Sequence, residues 1–586
     1  MTEAYSRSDR LLRKKFFQYL LPTMITYAAL SLNEFVDSML VSNLLDSDAM
    51  AIISLGMPVM LVMAAAYSLL GNGGATVYAL SLGKRDHETA GRSLTCATAA
   101  GLALGLLLLL CGNLFFGPLS RMLCHDAELL QEFRTYLRVL LLSSPLLITT
   151  LTFASFLPAA GYPRHSTFMN VVANIVNIAM DYVYIRVFGM GVEGAAWATL
   201  TGYVTAVLIL AVMIFGKKIR LYVSRNIVGA LRLIRDTAVK GGPDALTQIG
   251  FSMQFAVINA LAGNLAGTAG IVAFSLCIQM NSIVSIFIGS LIGSSVPLLS
   301  VLHGQRDFRG EEGVLKTALK GQLIIAILSV AVLGLLAPQA AALYNITGAA
   351  EAALAARAMR IYLLTFIVRG GVIIYFRYLM VIGFSGYASL VSALDGFAAI
   401  IPVAWILSKS LGTDGLWFAF PVTAILIMIF IIIRNRMIEK RSDGRLRGIL
   451  LLEHDAAEPV LDVTITNDAS SISGISEVLQ DVCERSGIDG HEAMKAALAV
   501  EEMAVYAANK KDQNAYMDIL ARIYKGNVEI DFRSLGPLFD PFEDTDEDMI
   551  ENIRLLRGIA SKIENDYVEN DYVLGMNSTR ITIEAV

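Results

Sequence analysis

Twelve apolar runs, each long enough to cross a lipid bilayer, dominate this chain: roughly residues 16–44, 51–82, 91–116, 136–160, 165–189, 194–216, 239–262, 268–302, 314–337, 358–383, 386–409 and 415–436. A membrane helix needs ~20 predominantly apolar residues. Several runs exceed that, so tilt or extension beyond the bilayer is expected. The whole chain is 55% hydrophobic and 17% charged, with a mean hydropathy of +0.60. The first run is too long for a signal-peptide core and lacks a small-residue cleavage site, so no cleavable leader is expected.

Two short loops recur at one offset of 221 residues. Gly83-Lys84-Arg85-Asp86 returns as Gly304-Gln305-Arg306-Asp307, and Gly191-Val192-Glu193-Gly194 as Gly412-Thr413-Asp414-Gly415. A shared offset marks a duplicated unit of six spans. Duplicated helix bundles are a common build of secondary transporters, whose substrate path lies between the halves. Six is even, so the halves insert in the same orientation, as parallel repeats related by an axis along the membrane normal.

Loop charge gives the direction. With the N-terminus inside, cytoplasmic segments hold 26 Lys/Arg and external loops 7. Positive charge favours the cytoplasmic side, so both termini are expected in the cytoplasm, in a cell inner (plasma) membrane. Residues 1–447 carry 35 Lys/Arg against 23 Asp/Glu, and residues 448–586 carry 11 against 28. A basic membrane part is therefore followed by an acidic soluble tail. The expected divisions are 1–216 for a first six-helix lobe, 217–238 for a cytoplasmic linker and 239–436 for a second lobe. A basic linker at 437–457 and the tail at 458–586 follow. The five cysteines show no paired spacing, so neither a disulfide nor a metal site is expected.

Polar residues inside membrane spans are expensive, and each is a functional candidate. Span 1 carries Asn33, Glu34 and Asp37; span 5 carries Asn170, Asn174, Asn177 and Asp181, spaced 4, 3 and 4 along one helix face. By helix rise, Asp37 and Asp181 sit about 25–30 and about 24 Å from the inner ends of their spans, at one level. Two carboxylates facing each other in low dielectric share a proton or bind a cation. Helix-to-helix hydrogen bonding is the simpler reading of these groups. The second half carries Arg369, Arg377 and Asp395 instead. Arg377 and Asp395 each lie about 12–15 Å from the inner loop by helix rise, which allows an ion pair between spans, most simply a structural one. Gly101–Gly105 and Gly289–Gly293 read as sites of close helix packing.

These residues resemble a family. Val36-Asp37-Ser38-Met39-Leu40-Val41, Leu55-Gly56-Met57-Pro58, Gly71-Asn72-Gly73-Gly74-Ala75 and Leu82-Gly83-Lys84-Arg85-Asp86 resemble the first two spans of the multidrug and toxic compound extrusion (MATE) transporters. So do Asn177-Ile178-Ala179-Met180-Asp181 and Gly189-Met190-Gly191-Val192-Glu193-Gly194-Ala195-Ala196-Trp197-Ala198-Thr199. The resemblance covers about residues 12–436. It implies two six-helix lobes around a central cavity, and export of small organic cations or amphipathic compounds against inward proton or sodium flow. It carries a coupling-ion cluster onto Asp37, Asn177, Asp181 and Thr199, with no other cofactor, no enzymatic activity and no nucleic-acid partner. Two departures stand out. Pro158 occupies a position where the family often has Arg. The stretch Gly242-Pro243-Asp244-Ala245-Leu246-Thr247-Gln248-Ile249-Gly250-Phe251 is expected to hold no acid within the membrane, which argues against a second-lobe sodium site.

The tail reads as a two-layer α/β sandwich. Strands are expected at Val460–Thr466, Tyr516–Tyr524, Val528–Arg533 and Thr579–Ala585, with helices around Ile475–Val482, at 490–510 and near 546–564. The order resembles the GHKL ATPase fold of anti-sigma-factor serine kinases and histidine kinases. Ala496-Ala497-Leu498-Ala499-Val500-Glu501-Glu502, Leu538-Phe539-Asp540-Pro541 and Leu574-Gly575-Met576-Asn577 carry the likeness. The nucleotide chemistry is degenerate. Tyr506 stands where the family places a metal-binding Asn, and Ser534-Leu535-Gly536 replaces Asp-x-Gly. The tail is expected not to bind ATP and to act structurally or on an unknown cytoplasmic protein. Two further readings remain at this point: a flippase for lipid-linked saccharides, and a membrane-tethered signalling protein using the tail as a kinase module.

Overall fold

The computed structural model describes residues 7–45, 47–124, 126, 128–226, 228–343, 348–453, 459–509, 516–524, 527–535, 556, 558 and 567–584. The chain forms two compact units. One holds Phe17–Asp307 and Val314–Met437; the other holds Met1–Phe16, Phe308–Gly313 and Ile438–Val586.

The first unit is helical. Its elements are α1 (Arg10–Leu44), α2 (Ser47–Tyr67), α3 (Gly73–Gly83), α4 (His87–Leu114), α5 (Phe116–Leu123), α6 (Leu130–Ala159), α7 (Pro163–Asp181), α8 (Val192–Phe215), α9 (Ala230–Gly304), α10 (Phe308–Leu343), α11 (Ala349–Leu363), α12 (Phe366–Val381), α13 (Ser385–Ala393) and α14 (Ile400–Arg441). Short π-helical segments interrupt three spans, at Ser68–Asn72, Tyr182–Val187 and Leu394–Ala398. Among the described residues eight helices are long and apolar enough to span a membrane, or nine when the bent pair α11 and α12 counts as one. Gly267 breaks α9, and Gly412 breaks the apolar stretch Ser385–Arg441, so each of these stretches supplies two spans. Those two breaks bring nine to eleven, and the 35-residue α1 is a further long helix of this unit. α9 starts at Ala230, within the stretch 217–238 expected as the linker between lobes.

The duplicated loops also share their backbone conformation. Arg85 and Arg306 take φ of 60 and 58°, the left-handed turn that ends a helix and is usually left to glycine. Gly191 (φ 60, ψ −142) and Gly412 (φ 61, ψ −136) adopt one conformation that only glycine visits readily. Small residues bring helices together at both GxxxG positions. A Cβ on Gly105 would lie 2.5 Å from Pro145 Cα, and one on Gly289 2.6 Å from the Tyr27 ring.

The second unit carries a five-stranded antiparallel sheet with α15 (Ala469–Arg485) and α16 (Gly490–Asn509) on one face. A short hairpin of β1 (Leu446–Arg447) and β2 (Leu452–Glu453) precedes it. The sheet strands are β3 (Pro459–Thr466), β4 (Tyr516–Tyr524), β5 (Asn527–Leu535), β6 (Tyr567–Val573) and β7 (Met576–Glu584), in the order β3-β4-β5-β7-β6. Alternation works as a pleated sheet demands. Val528, Ile530 and Phe532 enter the helix-facing core. Asp531 on the opposite face pairs with Arg580 at 2.8 and 3.0 Å. β1, β2 and β6 were not among the strands expected from the sequence. The helix expected near 546–564 lies outside the described residues, apart from Leu556 and Gly558. So do Lys525 and Gly526 of the β4–β5 turn, and Leu538–Pro541. Residues 7–9 lie along β3, where Ser8 N donates to Thr464 Oγ1 at 3.0 Å and Arg7 pairs with Asp462 at 3.4 Å.

Candidate functional site

α1 and α7 supply the polar stripe. The structure brings Asp37 and Asp181 together, within hydrogen-bonding reach of each other. Asp181 is fully buried and Asn177 nearly so. As ions, two carboxylates are acceptors only and cannot satisfy one another. Among the described residues, both Asp181 oxygens and Asp37 Oδ1 lack a hydrogen-bond partner. Asn177 Nδ2, Asn174 Nδ2 and Asn33 Oδ1 are in the same condition. Buried polar atoms are normally paired, and six unpaired ones on two facing helices outline a site for a shared proton or a small cation.

Neighbouring helices complete the surroundings. Gly202 of α8 lies against Asn177, with a Cβ there only 3.1 Å from Asn177 Cβ. Thr199, one turn earlier on the same face, donates to Ala195 O at 3.1 Å and keeps its acceptor capacity. Tyr136 of α6 lies within electrostatic reach of Asp37. The helix changes to π geometry directly after Asp181, at Tyr182–Val187. Such π segments are frequent at functional sites. Two sequence candidates stand apart. Glu34 is exposed, and Asn170 donates to Ser166 O of its own helix at 2.9 Å.

The second lobe departs from the expected ion pair. Asp395 does not pair with Arg377. Arg369 holds it in a fork, Nε at 3.0 and 3.1 Å and Nη2 at 3.0 Å from its oxygens. Arg377 instead pairs with Asp244 at 2.7 Å. Register explains the difference. Counted from Gly383 between the two spans, Asp395 is 12 residues on and Arg369 is 14 back, whereas Arg377 is only 6 back. Asp395 and Arg369 therefore lie about 18 and 21 Å from the turn, and Arg377 about 9 Å. Residues 242–251, expected to hold no acid within the membrane, place one acid in the interior of the bundle. Asp244 lies inside α9 and is 3% exposed.

In the tail, Tyr506 is fully buried in the core under the sheet, and Ser534 is fully buried in β5. Glu502 accepts from Leu556 N at 3.1 Å.

Comparison with known proteins gives one answer for the helical part. Residues 22–183 match the MatE family profile. The Multidrug export protein MepA of Staphylococcus aureus (strain NCTC 8325 / PS 47) is 23% identical over 442 residues, covering 73% of this chain and 96% of that protein. The Probable multidrug resistance protein YoeA of Bacillus subtilis (strain 168) is 22% identical over 425 residues, covering 70% and 91%. Among solved structures, a MATE crystal structure in complex with MaL6 superposes with a TM-score of 0.68 at 23% identity, over 74% of this chain and 97% of that one. An outward-facing multidrug resistance MATE family transporter of the MOP superfamily gives 0.68 at 22% identity, over 74% and 96%.

Proposed function

We propose that the chain is a MATE-type secondary antiporter that exports organic cations or amphipathic compounds in exchange for protons or sodium. One observation carries the coupling: Asp37 and Asp181 face each other with buried oxygens that no described protein group satisfies. Two neighbouring anions away from bulk water repel, and a proton or cation between them removes the repulsion. Occupancy of this site would then favour one lobe conformation over another, which is how a ligand with differential affinity shifts a two-state equilibrium. Export follows by alternating access: the cavity opens to one side with cargo and to the other with the coupling ion.

The second-lobe arginines argue against a lipid-linked saccharide flippase. Holding a pyrophosphate calls for cations available to it. Arg369 is paired with Asp395 and Arg377 with Asp244. The buried Tyr506 favours a non-catalytic tail over a kinase module, since a phenol in the core offers no amide oxygen to a metal ion.

The test is efflux of a fluorescent organic cation from proteoliposomes, under an imposed proton gradient and then a sodium gradient. Acceleration by one gradient that collapses with the matching ionophore is the expected result. Indifference to both gradients overturns the antiport reading.

A further inference from the structure

Two hydrogen bonds cross between the lobes at related places. Thr23 of α1 meets Ser294 of α9 at 3.0 Å. Asn72, which closes the π segment between α2 and α3, donates its Nδ2 to Asp244 Oδ2 of α9 at 2.8 Å. The second is the repeat image of the first at one end and one residue out of register at the other: Thr23 maps onto Asp244, but Asn72 maps onto Gly293 and Ser294 onto Gly73. Pro22-Thr23 plus 221 is Pro243-Asp244, and Asn72-Gly73 plus 221 is Gly293-Ser294. The two bonds flank the seam where the halves of the duplication meet. One is neutral. In the other, duplication has placed a carboxylate where its mate has a hydroxyl, and Arg377 joins it at 2.7 Å.

Around Asn72 the seam is backbone against backbone. A Cβ on Gly73 would lie 2.7 Å from Gly241 N, and one on Gly241 2.8 Å from Leu69 Cα. Such surfaces pack closely but carry no directional preference of their own. Direction comes from the polar link. Asp244 Oδ2 accepts from one lobe through Asn72 and from its own lobe through Arg377, while its Oδ1 and Arg377 Nε have no partner among the described residues. Arg377 thus fixes the carboxylate within the second lobe, and Asn72 is the removable half.

We propose that Asn72, Asp244 and Arg377 form a latch that holds the lobes together at this end, and that opening here requires Asp244 to release Asn72 while keeping Arg377. The proposal rests on alternating access but assigns to it residues outside the Asp37–Asp181 site.

The experiment follows the seam directly. Thr237 is 1% exposed, and its carbonyl lies against Gly73. T237C is introduced into the full chain with the five native cysteines replaced by alanine, and its reaction with N-ethylmaleimide is timed in proteoliposomes without cargo. N72A removes only the bond between lobes and is expected to speed labelling about tenfold, the population shift that one hydrogen bond to a charged group sustains. N72D places a like charge against Asp244 and is expected to exceed it. Each variant must elute as the monodisperse parent does. Labelling no faster in N72A and N72D than in the parent overturns the latch. Independently, N72C/D244C oxidised to completion is expected to stop transport that dithiothreitol restores; unchanged transport by the crosslinked protein overturns it. Where the reduced double variant is inactive, the labelling result decides. Labelling needs neither gradient nor cargo, so its failure is separate from failure of the antiport reading.

Discussion

Gly83 and Gly304, equivalent positions of the duplicated loops, touch each other. A Cβ built on either lies 2.9 Å from the other's Cα. The pseudo-symmetry axis therefore passes between them, and each half presents to its twin a surface with no side chain. Any larger residue at either position meets backbone, which has nowhere to turn. Gly83→Ala and Gly304→Ala are each expected to lower the apparent melting temperature of the purified protein, by an overpacking penalty of about 1–3 kcal/mol. Both methyl groups intrude on one spot, so the double variant should lose less than the two single losses added. Additive losses in differential scanning fluorimetry would separate the two sites.

Asp37→Asn and Asp181→Asn replace an acceptor-only carboxylate with an amide that satisfies its neighbour through a hydrogen bond. Each variant is expected to fold and insert like the parent and to lose gradient-driven efflux. Retained coupling in both variants, measured in proteoliposomes, would remove the site from the mechanism.

Much of this arrangement is legible in the residues. The offset of 221 predicts the duplication, and the structure adds that the equivalent loops share left-handed turns at Arg85 and Arg306. Asp37 and Asp181 fall at one level by helix rise, and the structure places them side by side. Asn72–Asp244 was not legible: its partners are 172 residues apart in the chain, and Asp244 follows Pro243 near what reads as a helix end. The repeated Pro22-Thr23 and Pro243-Asp244 pairs were the signal available. Helix rise alone misplaces Arg377, because the sequence bounds the loop between its span and the next only loosely, and four residues are about 6 Å along a helix. Strand β6 escaped because Tyr567-Val568-Glu569-Asn570-Asp571-Tyr572-Val573 has three consecutive polar residues at its centre, which hides any alternation.

Arg369 and Asp395 test how a buried pair behaves when halved. Their side chains are 12% and 7% exposed. Arg369→Met leaves the Asp395 carboxylate buried and uncompensated, a loss of about 3–5 kcal/mol. Adding Asp395→Leu removes the stranded charge and is expected to recover most of the lost thermal stability. A double variant no more stable than Arg369→Met alone would show that the pair does more than satisfy itself.

Two arginines contact Asp462 with unequal burial. Arg7 has a side chain 1% exposed and also reaches Asp518 at 3.7 Å; Arg309 is 54% exposed. Exposed ion pairs contribute about 0–1 kcal/mol, whereas losing a partner in a buried pair is far more damaging. Hydrogen exchange across 459–466 in the full chain is expected to quicken markedly in Asp462→Ala, which takes from Arg7 the nearer of its two carboxylates, and hardly at all in Arg309→Ala. Equal acceleration in both would assign the hold on β3 to Arg309.

Asp531 gives the second unit a pH dependence of known sign. Burial alone would raise its carboxyl, but Arg580, hydrogen-bonded to it in a fork, together with Arg522 and Arg533, holds it below the ordinary value of 3.8. A carboxyl depressed in the folded state adds stability that is complete above its unfolded value and fades as pH falls through the folded one. Exchange of β5 and β7 amides, measured in the full chain, is therefore expected to show a stability that is flat from neutral pH down to about 4 and declines below it. Asp531→Asn keeps the shape and discards the charge. It should lower stability near neutrality, where the parent holds its full contribution, and flatten the acid limb. An Asn variant whose profile still declines with the parent's slope below pH ~4 would move the acid sensitivity to other carboxyls of the sheet.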